Sequence, residues 1–569
     1  MNIRANLDLN GEKVTTDLVS YFESFENPIR PIENEFVFSS VSENEVMKII
    51  KSMKNKTSQQ DPIPIQLLKS DDVILNILVP FITKIVNTSL ETGVVPTELK
   101  NGFVTPILKK ANLDRNNLKN YRPVTNTSFL SKILEKIVAK QLLSHIHKYE
   151  LFDDLQSAYR EGHNIETVLA QVKNEIDVSL DNGLGSLLVL LDGSAAFDTL
   201  DFSVLLRRLS KNFGVGDSAL RWFNSFISGR SQQVVIDSRL SEKLNLTVGI
   251  AQGSCLSGLL YLIYQSPLPR IIRNNNVKNQ NFADDNQLRR EFMLKSYQSL
   301  CESINVIENC CVKINQWMSY NKLKLNCEKT EFIIIANNNF FKNVQNIPSI
   351  NICDSVVSTV SCVRNLGGIF DREMTMRNQV SSVVKCGNFC LRGIRKINNF
   401  VTMPIKKTLV VSTVLSRIDF VNSLYTNLPK RDIHRLDVLL NNSARLITNT
   451  KSYSPISPVL KDLHWLKIEF RIKFKCCLFV YKSLNSHHMP RYLSEMFELN
   501  SNPPRLTRLS SDNLRLKVPK FRTKRGQNCF QMYAIREWNL LPKEIRASVN
   551  THSFKKQLKT YFFRLCFLL

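Results

Sequence analysis

Apolar residues return at helical spacing over several stretches of this chain, with shorter apolar runs between them. Ser42 and Glu45 form a capping-box pattern ahead of Val46, Ile49, Ile50 and Met53, which predicts a helix start. A second helix is expected from Asp72 to about Thr92. Ser131 to Tyr149 carries Ile133, Leu134, Ile137, Val138, Leu142 and Ile146 on one broad face, the pattern of an amphipathic helix. Another is expected from Glu166 to Leu180, closed by Asp181-Asn182-Gly183. The unbroken run Ser186–Leu191 predicts a sheet-core strand, and Glu331 to Ala336 a second. Helices are expected near 203–212, 217–227, 255–264 and 294–320. Beyond residue 370 the helical period dominates, over roughly 377–397, 405–417, 431–448 and 467–485. Mixed α and β structure therefore gives way to an all-helical region near residue 375.

At 569 residues the chain exceeds one domain. Hydrophobic residues make up 43% and charged residues 22%, so a sizeable core is expected rather than disorder. The formal net charge of +26 changes the picture more, because it favours a polyanionic partner, nucleic acid first. Residues 501–569 hold 15 Lys/Arg against 3 Asp/Glu, the composition of a phosphate-tracking arm or lobe. The 13 cysteines are scattered without a zinc-like spacing, which reads as reduced thiols and no structural zinc. No secretory leader or membrane span is expected, and the chain reads as intracellular. The apolar end, from Phe562, reads as a helix end packed on its own domain.

Three carboxylates carry the chemistry. Asp192 ends the apolar strand, and Asp284-Asp285 sit in the segment Gln280–Leu288, QNFADDNQL. Two other acid pairs, Asp71-Asp72 and Asp153-Asp154, read as solvated surface. Three acids brought together repel unless divalent cations compensate them. That is the donor set of two-metal phosphoryl transfer, and it points to a nucleotide polymerase.

Further segments extend this reading. They are LKNYRPVTNTSFLSKILEKIVAKQL (118–142), QSAYREGH (156–163), LLVLLDGSAAFDTLD (187–201), GIAQGSCLSGLLYLIY (249–264), FADD (282–285), WMSYNKLKLNCEKTEF (317–332) and NLGGIFD (365–371). With SRIDFVNSLYTNLP (416–429) and LKDLHWLKIEFRIKFK (460–475), their order and spacing resemble the reverse transcriptases of non-LTR, LINE-type retrotransposons, in the Jockey and chicken-repeat branches. The resemblance runs from about residue 40 to the C-terminus.

The resemblance implies an α+β right-hand polymerase: fingers, a palm with an antiparallel sheet, a thumb, and a mainly helical C-terminal region. The expected divisions are a poorly defined segment 1–40, a helical extension 41–95, fingers and palm 96–371, a helical thumb-like region 372–500 and a basic C-terminal region 501–569. It implies that Asp192, Asp284 and Asp285 are catalytic and bind two Mg²⁺ ions, with Mn²⁺ as a substitute. It implies nucleotide-binding roles for Lys110 (or its neighbour Lys109), Arg122, Phe197, Gln252 and Gly253. Arg122 would grip the triphosphate, and Phe197 would exclude a ribose 2′-OH. Lys329 would protonate pyrophosphate, while Asp198 has no assigned metal role. The implied partners are an RNA template, a DNA primer or target and dNTPs, with a separate endonuclease needed for integration and no membrane. The implied location is nucleus, cytoplasm or both.

Some positions depart from the family pattern. Gly193 stands where a bulky apolar residue is usual, Ala251 replaces Pro, Ser257-Gly258 replaces Gly-Pro, and Asn286 replaces Thr. The alternative reading is therefore a catalytically impaired, 5′-truncated relic that only binds nucleic acid.

Overall fold

The computed structural model describes residues 16–56, 58–194, 197–344, 346–353, 355–500 and 514–567. The extreme N-terminus, Ala195-Ala196 of the GSAAFD motif, the first part of the basic C-terminal region and the last two residues lie outside the described residues. The chain divides into two compact units. The first comprises Met1–Tyr159, Asp192–Asn276 and Cys310–Asn326; the second comprises Arg160–Leu191, Val277–Asn309 and Cys327–Leu569.

In the first unit, strands Asn101–Leu108 and Tyr121–Asn126 form an antiparallel hairpin, and the first of them also pairs in parallel with Ser231–Ile236. Helices Glu43–Ser52, Asp72–Thr92, Phe129–Lys148, Phe202–Phe213, Asp217–Ile227 and Ser257–Tyr264 belong to the same unit. The capping box at Ser42 is formed, with the Ser42 side chain accepting from the Glu45 N–H. The core closes on Trp222, which stacks on Phe226 with ring centroids 5.3 Å apart and donates its indole N–H to Ser89 Oγ at 3.0 Å.

One expectation changes here, at Asp153, while Asp71 and Asp72 are exposed as expected. Asp153 is buried rather than solvated, and it holds Arg273 in an ion pair while accepting from the Leu155 N–H. Asp71 caps the helix Asp72–Thr92 by accepting from the Val73 N–H. That helix is also long and apolar enough, by length and composition, to cross a membrane. It buries Leu75, Val79, Ile82, Val86 and Leu90 while exposing Val73, Ile77 and Phe81. A core helix of a globular unit passes the same test, so the property is weak evidence for a span. A helix at Thr16–Glu23 was not legible in the polar N-terminal sequence.

In the second unit, four antiparallel strands run in the order Glu331–Ile335, Leu184–Leu191, Asp285–Met293, Lys278–Phe282. Leu187, Leu188, Val189, Ile333 and Ile335 are fully buried on it, as the near-continuous apolar runs require. Hairpins Ile350–Val357 and Cys362–Asp371 follow, and then helices, including Arg377–Lys396, Lys430–Thr448 and Ile468–Asn485. Their bounds agree closely with the helical period in the sequence. Among the described residues no cysteine is in a disulfide.

The C-terminal region is helical over Phe530–Asn539 and Thr551–Phe567, and Trp538 is buried with its N–H donated to the Leu514 carbonyl at 2.9 Å. Phe562 is buried as well. This region is anchored through the polar side of helix Ile165–Asp181. Asp181 accepts from the Arg522 N–H at 3.0 Å, the Thr523 N–H at 2.6 Å and the Thr523 hydroxyl at 2.7 Å. Asn174 accepts from the Gln531 N–H at 2.9 Å, and Asp177 ion-pairs with both Lys173 and Arg525.

Burial pushes the Asp181 carboxyl up, but the Thr523 hydroxyl, the two N–H donors and the Arg522 charge outweigh it and leave its pKa lowered. A carboxyl lowered in the folded state contributes stability that is full above its unfolded pKa, about 3.9, and is lost as pH falls through the folded value. Asp181→Ala strands two backbone donors, so it should lower stability at pH 7 by about 1–3 kcal/mol. Urea melts should show that difference, and the difference should shrink in acid below about pH 4.

Candidate active site

The edge of the second unit's sheet gathers chemistry because of its register. Leu191, the last residue of its strand, pairs with Asn286, and Phe282 pairs with Asp285 across a two-residue turn. The strand pair therefore stops with Asp192 following one strand and Ala283-Asp284 linking the other two. Ala283 turns the chain at φ 56°, the left-handed region, which a β-carbon makes strained. Asp284 is half-buried and Asp285 exposed. The Asn286 amide donates to the Asp284 carbonyl at 2.9 Å, and Asn281 donates in turn to Asn286 Oδ1. Buried amides thus hold the backbone under the acid pair. The exposed Lys329 ends a short 3₁₀ turn, two residues before Glu331 pairs with Leu190.

In the first unit the chain leaves Asp192 with the Asn326 N–H donating to its carbonyl at 2.9 Å, and Gly193 pairs with Leu325. Downstream, the segment 249–258 is drawn against two other segments, at Phe197-Asp198 and at Thr125. The Ile250 N–H donates to the Phe197 carbonyl at 2.9 Å, and the Thr125 N–H donates to the Gln252 carbonyl at 2.7 Å. Gln252 Nε2 donates to both Asp198 carboxylate oxygens, at 2.9 and 3.0 Å. Burial pushes the Asp198 carboxyl up despite this bond. Ser257 Oγ donates to the Ala251 carbonyl at 2.6 Å. Gly253 takes φ 133°, and a β-carbon there would lie 2.2 Å from the Thr125 carbonyl oxygen. Only glycine fits so close an approach. The Phe197 ring packs against Tyr261, with centroids 5.0 Å apart.

Phe197, Asp198, Gln252 and Gly253 therefore form one cluster with Thr125. Arg122, Lys109 and Lys110 do not join it; they stand exposed on the neighbouring hairpin. Arg122 is opposite Ile107 in register. The Lys109 ammonium donates to the Lys119 carbonyl at 2.7 Å. Two members were not assigned from the sequence. Asp198 accepts from Gln252, and Ser257 ties the turn at Ala251; in each the signal was only a polar residue close to a glycine-bearing turn.

Among the described residues no group of three or more His, Cys, Asp or Glu side chains is gathered as for a metal ion. Of the three expected ligands, Asp192 belongs to the first unit and Asp284 and Asp285 to the second.

Comparison with known proteins gives this geometry a context. Residues 107–370 match the family model described as reverse transcriptase (RNA-dependent DNA polymerase). The RNA-directed DNA polymerase from mobile element jockey of Drosophila melanogaster is 20% identical over 79% of this chain and 48% of its own length. The jockey protein of Drosophila funebris is 23% identical over 78% of this chain and 48% of its own length. The probable RNA-directed DNA polymerase from transposon X-element of D. melanogaster is 23% identical over 59% of this chain and 35% of its own length. The chain thus spans about half the length, or less, of the curated relatives it matches. Among solved structures, apo telomerase from Candida tropicalis, truncated from its C-terminal domain, aligns with 49% of this chain and 55% of that one, at 12% identity and a TM-score of 0.33.

Gly253→Ala forces a β-carbon into the Thr125 carbonyl at a backbone angle that alanine rarely adopts. Such strain is worth about 1–3 kcal/mol, so the first unit should melt earlier. Differential scanning calorimetry that shows no shift would mean that the turn relaxes freely.

Proposed function

We propose, from the premise that residues 107–370 are a reverse transcriptase domain of the kind carried by jockey-like mobile elements, that this chain extends the 3′ end of a DNA primer along an RNA template. The observation that carries the reading is the register at the sheet edge. Asp284 lies on the turn, Asp285 opens the strand one pair beyond Leu191↔Asn286, and Asp192 is the next residue after Leu191. The basic balance of the chain, +26 overall, suits a template and primer held by their phosphates.

Reverse transcriptases generally use divalent metals, and the residues at hand suit Mg²⁺ by donor chemistry, being hard carboxylate oxygens without nitrogen or sulfur. Asp192, Asp284 and Asp285 would hold two such ions, and Mn²⁺ would substitute. Bound there, the ions supply an activated 3′ hydroxyl and compensation of charge on the triphosphate. The protein's own groups do the remaining work. Arg122, a planar fork of donors on an exposed strand, binds triphosphate oxygens, and Lys110 adds positive charge beside it. The Gln252–Gly253 backbone approaches the incoming nucleotide, which glycine permits. The Phe197 ring walls the sugar side and excludes a 2′-OH. Lys329 delivers a proton to the leaving pyrophosphate. An RNA template and a DNA 3′ end put the reaction inside the cell, in nucleus, cytoplasm or both. A separate endonuclease would supply the nick in target DNA.

The test is extension of oligo(dT) on poly(rA) with dTTP. Purified protein should extend the primer with Mg²⁺ or Mn²⁺, stop on chelation and resume when metal is restored. The double variant Asp284→Asn, Asp285→Asn should lose at least about 10³-fold, since the metal contribution is several kcal/mol and each 1.36 kcal/mol is tenfold. Folded protein that binds the hybrid without extending it would overturn the polymerase reading in favour of a nucleic-acid-binding relic.

A further inference from the structure

Helix Phe129–Lys148 carries a carboxylate where its period calls for an apolar residue. Glu135 lies on the buried stripe Ser131, Glu135, Val138, Leu142, and it is only 1% exposed. A buried carboxylate is unfavourable unless its oxygens are hydrogen-bonded, and both of these are. Oε1 accepts from the Ser131 hydroxyl at 2.9 Å. Oε2 accepts from the Ser254 hydroxyl at 2.7 Å and from the Cys255 N–H at 2.6 Å. The buried Arg230 guanidinium, whose pKa burial lowers and the charge of Glu135 raises, supplies a countercharge. Arg230 is itself fixed by donating to the Phe226 carbonyl at 3.2 Å and lying over the Phe226 ring.

The two bonds on Oε2 reach across 119 and 120 residues of chain to the positions directly after Gln252-Gly253. An apolar side chain could fill the same space in the core, but it could not fix the Ser254 hydroxyl and the Cys255 N–H together. We propose that Glu135 is a positioning residue for the incoming nucleotide: from inside the core it holds the Gln252–Gly253 turn in the shape the dNTP meets. This rests on the polymerase reading for its consequence, though not for the holding of the turn. Thr125, Asp198 and Ser257 fix the turn at Gln252 and Ala251; Glu135 is what fixes its far side.

Two measurements on full-length protein test this. The first is steady-state primer extension on poly(rA)·oligo(dT) with dTTP. Glu135→Gln keeps the shape and one acceptor oxygen but loses the charge. It should raise the KM for dTTP about tenfold, the loss expected when a charge-assisted bond becomes a neutral one. The Kd for primer–template should not change. Ser254→Ala should shift the same KM in the same direction, and the double variant should fall short of the product of the two effects, because both act through one bond. Equal losses in dTTP and primer–template affinity would mean that Glu135 serves the fold at large and would overturn the proposal.

The second measurement needs no activity. Hydrogen exchange in Glu135→Gln should quicken at the amides of 253–255 and stay unchanged along the rest of helix Phe129–Lys148. Unchanged exchange at 253–255, or quickening spread over the whole unit, overturns the proposal. Wild-type protein that fails to extend the primer counts against the polymerase reading alone, while the exchange result still decides whether Glu135 holds the turn.

Discussion

The pairing of Leu184–Leu191 with Asp285–Met293 is the constraint on which the candidate chemistry depends. Side chains alternate along a strand, so a slip of one residue would reverse the face of every side chain on it. The slip is opposed by the fully buried Leu187, Leu188 and Val189 on one strand and Leu288 on the other. The same burial that stabilises the sheet therefore fixes where the strand pair ends. The acids follow from that: Asp192 comes next after one strand, Asp284 sits in the turn before the other, and Asp285 is that strand's first residue.

The second strand of that pair shows why sequence pattern reached some of the structure and missed the rest. Asn286, Gln287 and Arg289 look like a solvated run but are all buried. Each has a polar partner remote in sequence or on the adjoining strand. Asn281 serves Asn286, Asn365 donates to Gln287 Oε1 at 2.7 Å, and Glu175 ion-pairs with Arg289, whose pKa burial brings down to about 10. Periodicity registers apolar burial and is blind to polar burial that is compensated from elsewhere. The same blindness explains Asp153, read as surface and found buried on Arg273, and Glu135, unremarked inside an amphipathic helix. Where cores are apolar, as in Ile468–Asn485, the helix bounds were legible to within a residue. The strand end before Asp192 was legible because it is an apolar run with a defined end.

The basic C-terminal region poses a related lesson about domains. Its charge suggested an arm or a lobe, and residues 514–567 share a unit with the sheet, through Asp181, Asp177 and Asn174 on one helix. Basic residues here do two jobs. Arg525 is spent on Asp177 inside the unit, while others on the surface remain for phosphate. Net charge counts both alike, which is why it indicates a polyanionic partner without locating where that partner binds.

The departures from the family pattern bear on whether the site is a decaying one. Ala251 lacks the ring that would preset its turn, but Ser257, itself a departure, donates its buried hydroxyl to the Ala251 carbonyl. Gly258, its neighbour, lies beneath the Tyr159 ring, where a β-carbon would come within 2.8 Å. Asn286 donates to the Asp284 carbonyl directly under the acid pair. Gly193 keeps its pairing with Leu325. Random loss leaves donors without acceptors and rings without room. At these positions the unusual residues instead answer one another, so what reads as erosion one residue at a time reads in three dimensions as a turn and a hairpin built with different parts. That mutual fit is the physical argument for treating these positions as packed parts of the fold rather than as gaps in it.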